Sequence, residues 1–473
     1  MLAARVAHRI GPIPTGRLLM TTATSLPRRS ARTKALARRA RGAIVTWERL
    51  AFWASVGVVL VFSQFWVMEI TGPVVTVDPN VSAALRNYFL PAYAVAVILA
   101  ASRLGPLAAG ILRSPLLALL VGLTFVSVLW SIDPEVTVRR GMAVLLTTLS
   151  GMAIATRFAW PRFVEVLATA FAALVALSVL TVALAPSYGI MTADFPGAWR
   201  GVWDHKNALG YNMTVGFVVF VAAAMLNPRR RWLWWGLAAA AVALVFLSTS
   251  KTSLVSCLAA AFLVGIIWIG RRGPAGVVLA TYILISGLFA AGFLFVADPG
   301  LLFRLLGKDE TLTGRTRIWA AVMRQIAKRP WTGYGYGAVW TETSNWGPLP
   351  WISKEQGFVV HEAHNGWLAV WLELGYVGLC AAAVTVAEVW TRTVFGIFRR
   401  PSTYLSLPFL AIFSLHSITE AALLAQNDFI WLIFSGVALK IASPEEPSPW
   451  AGDGGDAPAR LVSVRKRAAR RRR

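Results

Sequence analysis

The chain has 473 residues, 57% hydrophobic and only 14% charged, with a mean hydropathy of +0.61 and a formal net charge of +24. Soluble domains carry about 25% charged residues, so a water-soluble protein of two or three domains is excluded. Nor does the +24 point to nucleic acid, because Lys and Arg gather in the tails and in alternate loops instead of on one folded face.

The first 49 residues hold eleven Lys or Arg and no apolar stretch before Leu50. A secretory signal needs an apolar core of roughly 7–15 residues, so none is expected, and residues 1–49 read as a basic, disordered cytoplasmic tail. A membrane domain follows over 50–442. Its apolar runs at 50–69, 87–102, 115–131, 140–156, 163–184, 208–226, 232–248, 253–270, 275–297, 366–390, 404–420 and 427–442 meet or approach the ~20 residues that cross a bilayer. Cys257 and Cys380 lie inside such runs, where small buried residues are the plain reading and a disulfide framework is not supported. Residues 443–473 form a second basic cytoplasmic tail, ending Arg470 to Arg473. Both tails suit contact with anionic lipid headgroups.

Orientation follows from charge. With the N-terminus inside, the short inner loops hold twelve Lys or Arg and the short outer loops six, and both basic tails also fall inside. That is the positive-inside pattern, and it selects twelve spans with both ends in the cytoplasm.

Three outer segments carry candidate chemistry. The loop at 185–207 ends Trp199-Arg200-Gly201-Val202-Trp203-Asp204-His205-Lys206-Asn207, crowding cations and one acid at the mouth of the sixth span; an interfacial anchor of Trp and basic residues is the plain alternative. Ser248 to Ser253, containing Lys251, is a polar turn between spans seven and eight. The third segment, 298–365, is a 68-residue loop with eight Lys or Arg. Long translocated loops tolerate such charge, and a loop of that length in a compact bundle is functional or disordered; its Trp, Gly and helical periodicity argue for order. Within it, Ile318, Trp319, Val322, Met323 and Ile326 recur at helical spacing, apart from Arg317, Arg324 and Lys328. An amphipathic helix over 315–329, lying in the interfacial plane, is expected, closed by Pro330 and the glycines of 333–337. Arg315 and Arg317 at its start, beside free helix N–H groups, make an anion site.

The loop closes with His361-Glu362-Ala363-His364-Asn365. Histidine titrates near neutrality and can take a proton from a hydroxyl. A metal between His361 and His364 is a second reading, but a third ligand and the familiar zinc spacings are missing; structural hydrogen bonding is a third. Together, Arg200, Lys206, Lys251, Arg315, Arg317 and His364 form a cationic, aromatic-lined outer set that suits a phosphate-bearing lipid with an attached sugar. A secondary transporter is the alternative from another class. Transporters place their sites at mid-membrane, in broken helices and internal repeats. Here mid-span acids are few, with Glu373 in the tenth span and Glu388 and Glu420 near helix ends, and the halves show no repeat.

Taken in order, these segments resemble the O-antigen ligase and Wzy-type polysaccharide polymerase superfamily, most closely the succinoglycan-type exopolysaccharide polymerase branch. The resemblance rests on Arg-Gly-Val-Trp-Asp-His-Lys-Asn-Ala-Leu-Gly (200–210), Ser-Thr-Ser-Lys-Thr (248–252), Gly-Arg-Thr-Arg-Ile-Trp (314–319), Gly-Tyr-Gly-Tyr-Gly (333–337), His-Asn-Gly-Trp-Leu (364–368) and Glu-Leu-Gly-Tyr-Val-Gly-Leu (373–379). Trp130-Ser131-Ile132-Asp133-Pro134 and Arg139-Arg140 add to it, so it runs from about 115 to 440. It implies an all-α integral membrane protein of about twelve transmembrane helices, with a GT-C-like glycosyltransferase architecture and one long periplasmic loop. It also implies a metal-independent, inverting enzyme of the bacterial inner membrane that needs no cofactor. Such an enzyme joins undecaprenyl-diphosphate-linked glycan donors to glycan acceptors. Ligation of a finished glycan to lipid A core is the alternative within the family. By resemblance, Arg200 and Arg315 would hold the donor diphosphate, a bidentate task, and His364 would be the base that activates the acceptor hydroxyl. Arg317, Lys206 and Lys251 would add phosphate contacts, although Lys251 stands where many relatives carry Arg. His205, Asn207, Asn365 and Glu362 would stand in support, Glu362 without an assignable family counterpart. Membrane lipids, a flippase and chain-length regulators are the implied partners, and nucleic acid is not.

Overall fold

A computed structural model of the chain describes residues 31–68, 85, 87–193, 195–297, 315–340, 347–357, 360 and 362–444. His361, part of the terminal tails and much of the long loop lie outside the described residues. The chain divides into two units, 1–50 and 51–473, and every site considered below belongs to the second.

Among the described residues the fold is helical. In chain order the helices are α1 (Ala31–Phe62), α2 (Leu90–Ala101), α3 (Leu104–Arg113), α4 (Pro115–Val126), α5 (Pro134–Arg157), α6 (Trp160–Leu184), α7 (Pro186–Gly189), α8 (Lys206–Leu226), α9 (Arg231–Leu247), α10 (Lys251–Gly270), α11 (Pro274–Ala297), α12 (Arg315–Ile326), α13 (Pro348–Gln356), α14 (Gly366–Phe395), α15 (Thr403–Thr419) and α16 (Phe429–Ala442). Every expected apolar run falls on one of them. Helices are what an apolar solvent allows, because each backbone N–H and C=O must find its partner within the segment. By length and composition six helices can cross a membrane, or seven if α2 and α3, bent by 93° where they meet, count as one span. Parts of α4, α11, α15 and α16 are apolar but shorter. Tyr282, Phe289 and Phe293 on α11 are 62–74% exposed, an apolar surface that suits lipid.

Two expectations change. Residues 31–49, read as part of a disordered tail, are helical, in keeping with a segment rich in Ala, Leu, Lys and Arg, which are strong helix formers. The amphipathic helix is α12, but its apolar face does not lie open to lipid. Ile318, Val322 and Ile326 are buried in a small core with Tyr334, Val339, Ile352 and Leu372, so the described part of the long loop folds onto the start of α14.

The centre of the second unit is α8. In its apolar window 83% of residues are buried, against 28–50% for the other five candidate spans, and it packs against α6, α9, α10 and α15. The N-termini of α8, α10, α12 and α14 and the C-terminus of α15 supply the side chains described next.

Candidate active site

The site begins at the start of α14. Asn365 caps that helix, its Oδ1 accepting from Trp367 N at 3.0 Å and Leu368 N at 3.1 Å; this satisfies N–H groups that a helix start otherwise leaves unpaired. The residue before it, His364, has φ +47, a left-handed conformation uncommon for a residue with a side chain. The imidazole is brought between two carboxylates, with Nδ1 2.8 Å from Glu362 Oε1 and 3.4 Å from Glu420 Oε2. Glu420 follows the last turn of α15, and its carbonyl accepts from Gly366 N at 3.1 Å, tying the ends of α14 and α15 together. Its second carboxylate oxygen takes Arg315 Nη2 at 2.8 Å, and Arg315 Nη1 donates to Thr419 O. Arg315, Glu420, His364 and Glu362 thus form a linear quartet, with side-chain exposures of 20%, 31%, 37% and 41%. It is shielded at one end and open to a ligand at the other.

The hydrogen bond that His364 donates to Glu362, then that to Glu420, raise its pKa from 6.5 to about 9, against the opposing effect of burial. An Nδ1–H donated to a carboxylate leaves Nε2 with its lone pair for another hydroxyl, the tautomer a general base requires. Ligand atoms of Glu362, His364 and Glu420 also lie within 4.8 Å of one another, a spacing that a metal could bridge. The guanidinium bound to Glu420 opposes a cation there, since it already satisfies one carboxylate oxygen and adds positive charge beside it.

The second group sits at the start of α8. Arg200 is fixed by a turn in which Arg200 N and Gly201 N both donate to Gly189 O, at 2.9 and 3.1 Å. Its guanidinium donates to Tyr188 O at 2.7 Å and Ser187 O at 3.3 Å. His205 caps α8, accepting from Asn207 N at 3.2 Å through Nδ1. Lys206 donates to Thr249 Oγ1 at 3.1 Å and lies 3.9 Å over the Phe195 ring. This joins the 200–207 motif to the turn before Lys251, which is exposed at the first residue of α10.

Below these groups the Tyr211 and His416 rings stack at 3.9 Å, and His416 Nε2 lies 3.3 Å from Ser256 Oγ. Tyr211 is one turn along α8 from Asn207, and His416 O accepts from Glu420 N at 2.6 Å. The stack therefore joins the two motif groups at one end of the bundle.

The glycine-rich motif has a definite task here. α14 is broken at Gly375, with φ 64 and ψ −165; a Cβ there would sit 2.1 Å from Trp331 O. The break leaves the carbonyls of Leu372 and Glu373 without helical donors, and Tyr334 N and Gly335 N supply them at 3.0 and 2.8 Å. Ile132 N donates to Tyr334 O at 3.0 Å and Trp130 Nε1 to Thr332 O at 2.7 Å. The Trp130–Pro134 and Gly333–Gly337 motifs are therefore one joint beside α14.

Of the residues singled out in the sequence, Arg315, Glu362, His364 and Asn365 come together, and Arg200, His205, Lys206 and Asn207 form the neighbouring group. Arg317 is exposed and makes no ion pair among the described residues, although its carbonyl accepts from Gln356 Nε2 at 3.2 Å. In the sequence Glu420 is only an acid near a helix end, yet it holds Arg315 and His364 at once. An ionisable residue at the end of an apolar run is itself a functional signal, and it was the one available.

Residues 237–383 match the protein-family model described as O-antigen ligase. The chain is also 27% identical over 288 residues to the Exopolysaccharide production protein ExoQ of Rhizobium meliloti (strain 1021), an alignment covering 58% of this chain and 63% of that protein. The chain thus matches less than two thirds of that relative's length. The matched family segment contains Lys251, Arg315, Arg317, Glu362, His364 and Asn365, whereas Arg200 precedes it and Glu420 follows it. Both comparisons agree with the resemblance carried by the motifs.

Proposed function

We propose that this relative of the O-antigen ligases and Wzy-type polymerases is an exopolysaccharide repeat-unit polymerase, joining undecaprenyl-diphosphate-linked oligosaccharides on the periplasmic face of the inner membrane. The observation that carries the reading is the quartet, in which a histidine oriented by two carboxylates stands one residue pair away from a guanidinium. His364 Nε2 takes the proton of the acceptor hydroxyl as that oxygen attacks the anomeric carbon of the donor sugar. The bond to the lipid diphosphate breaks on the opposite face, which inverts the configuration. Arg315 and Arg200 receive the departing diphosphate, where bidentate N–H donors match the charge that develops. Lys206, Lys251 and Arg317 contribute field at longer range, and no metal takes part.

The matched family is described as O-antigen ligase, which favours a second reading, transfer of a finished glycan to lipid A core. One assay separates the two. Purified protein in lipid nanodiscs, given lipid-linked repeat units, is expected to form a ladder of products, unchanged by EDTA and absent for His364→Ala. A single product formed only when lipid A core is supplied would make the protein a ligase. A ladder from His364→Ala would remove the base, and EDTA sensitivity reversed by zinc would restore the metal.

A further inference from the structure

We infer that the hollow beside the quartet is a subsite for one neutral pyranose ring of the glycan, held by Arg140, Trp340, Glu373 and Gln426; this rests on the glycan-joining reading above. The hollow encloses about 230 Å³ and its walls include Arg140, Tyr336, Trp340, Glu362, Glu373 and Gln426. Drug-sized ligands occupy roughly 300–1,000 Å³, so this space suits a single ring and not an oligosaccharide. Glu362 belongs both to its wall and to the quartet, which sets the ring next to His364.

Each wall group has a stated capacity for hydrogen bonding. Glu373 is only 7% exposed. Its carboxyl faces the Gly337 N–H and the Trp340 indole and belongs to a group able to accept about four bonds. Arg140 Nη1 donates to Gly337 O at 2.7 Å. Arg140 and Glu373 therefore meet through the Gly337 peptide, with no direct ion pair between them. Gly337 has φ +70, and a Cβ there would lie 2.4 Å from Arg140 Cδ, so glycine is what lets the guanidinium reach the wall. Gln426 Oε1 is buried and without a hydrogen-bond donor, and an orphaned buried acceptor calls for a partner. Tyr336 has its hydroxyl committed to Leu424 O at 2.6 Å, so its ring is wall and not a donor.

A pyranose complements this set. Its hydroxyls donate to Glu373 and Gln426 and accept from Arg140, while its C–H face packs on the Trp340 ring. A phosphate does not fit, because the one guanidinium of the wall, Arg140, is already offset by Glu373, and a further anion would face the carboxylates of Glu373 and Glu362. The same two carboxylates, with no unmatched cation beside them, select neutral sugars over uronic acids.

The test uses full-length protein in nanodiscs and a panel of methyl hexopyranosides and methyl hexuronosides, read by saturation-transfer NMR. At least one neutral glycoside is expected to receive saturation from the wild type and equally from His364→Ala, and the uronides much less. Glu373→Gln and Trp340→Ala should each weaken binding about tenfold, the scale of one lost charge-assisted bond or stacking contact, and Trp340→Phe should recover most of it. The subsite is overturned if no glycoside receives saturation, if uronides bind as well as neutral sugars, or if both variants bind like the wild type. Ladder formation by the same preparations separates this result from the reaction. A ladder without glycoside binding removes the subsite and leaves the polymerase; glycoside binding lost in the variants, without any ladder, keeps the subsite and removes the polymerase.

Discussion

His364 is held in a left-handed backbone conformation with an acid on either side, and under the proposed function its pKa of about 9 has a direct kinetic meaning. At neutral pH most of the free protein carries the imidazolium, which cannot accept a proton. The apparent second-order rate constant should therefore rise about tenfold per pH unit and level off near 9. Glu362→Gln removes the largest upward influence, so the break should move toward 6.5; an unmoved break would show that Glu362 does not set the base. The effect on stability has the opposite sign to that on rate. A group whose pKa rises on folding stabilises below its ordinary value, here 6.5, and that contribution is lost as pH climbs through about 9. Much of this candidate site is legible in the sequence because His364, Arg315 and Arg200 sit in recognisable motifs. Glu420 is not, since its partner Arg315 is 105 positions away and no local spacing encodes that meeting.

The element that sets the site is α14, and its decisive residue is Gly375. In the sequence, 366–390 reads as one apolar span, and composition says nothing about the sign of φ at Gly375. The break explains why the Gly-Tyr-Gly-Tyr-Gly segment is there at all, since it fills the two carbonyls that the break exposes. Gly375→Ala should destabilise the protein by at least the ~1–3 kcal/mol of a strained backbone conformation, with more from the clash at Trp331 O. Thermal unfolding in detergent checks this, and a midpoint equal to the wild type would mean that the helix can straighten. Short helices were harder to read. α4, α15 and α16 have 12, 17 and 14 residues, at or below the roughly 17–25 of a usual span, so apolar length alone gives six or seven crossings where charge alternation gives twelve.

At the scale of the whole molecule, that alternation makes a claim about sidedness. With twelve spans and both ends inside, green fluorescent protein fused after Arg473 should fluoresce, and alkaline phosphatase inserted in the 298–365 loop should be active. A phosphatase active at the C-terminus would require an odd number of crossings or an inverted protein. The sequence also presented the outer face as a cluster of cations awaiting an anion, and the quartet alters that picture. Arg315 and protonated His364 are matched by Glu362 and Glu420, so a chain with a net charge of +24 has an electroneutral candidate site. A diphosphate reaching Arg315 has to displace Glu420, and the released carboxylate then has only His364 to face. Under the proposed function the centre would work as an ion exchanger, its affinity for the diphosphate being the difference between two pairings. Salt screens both pairings, so binding should depend less on ionic strength than a count of arginines suggests.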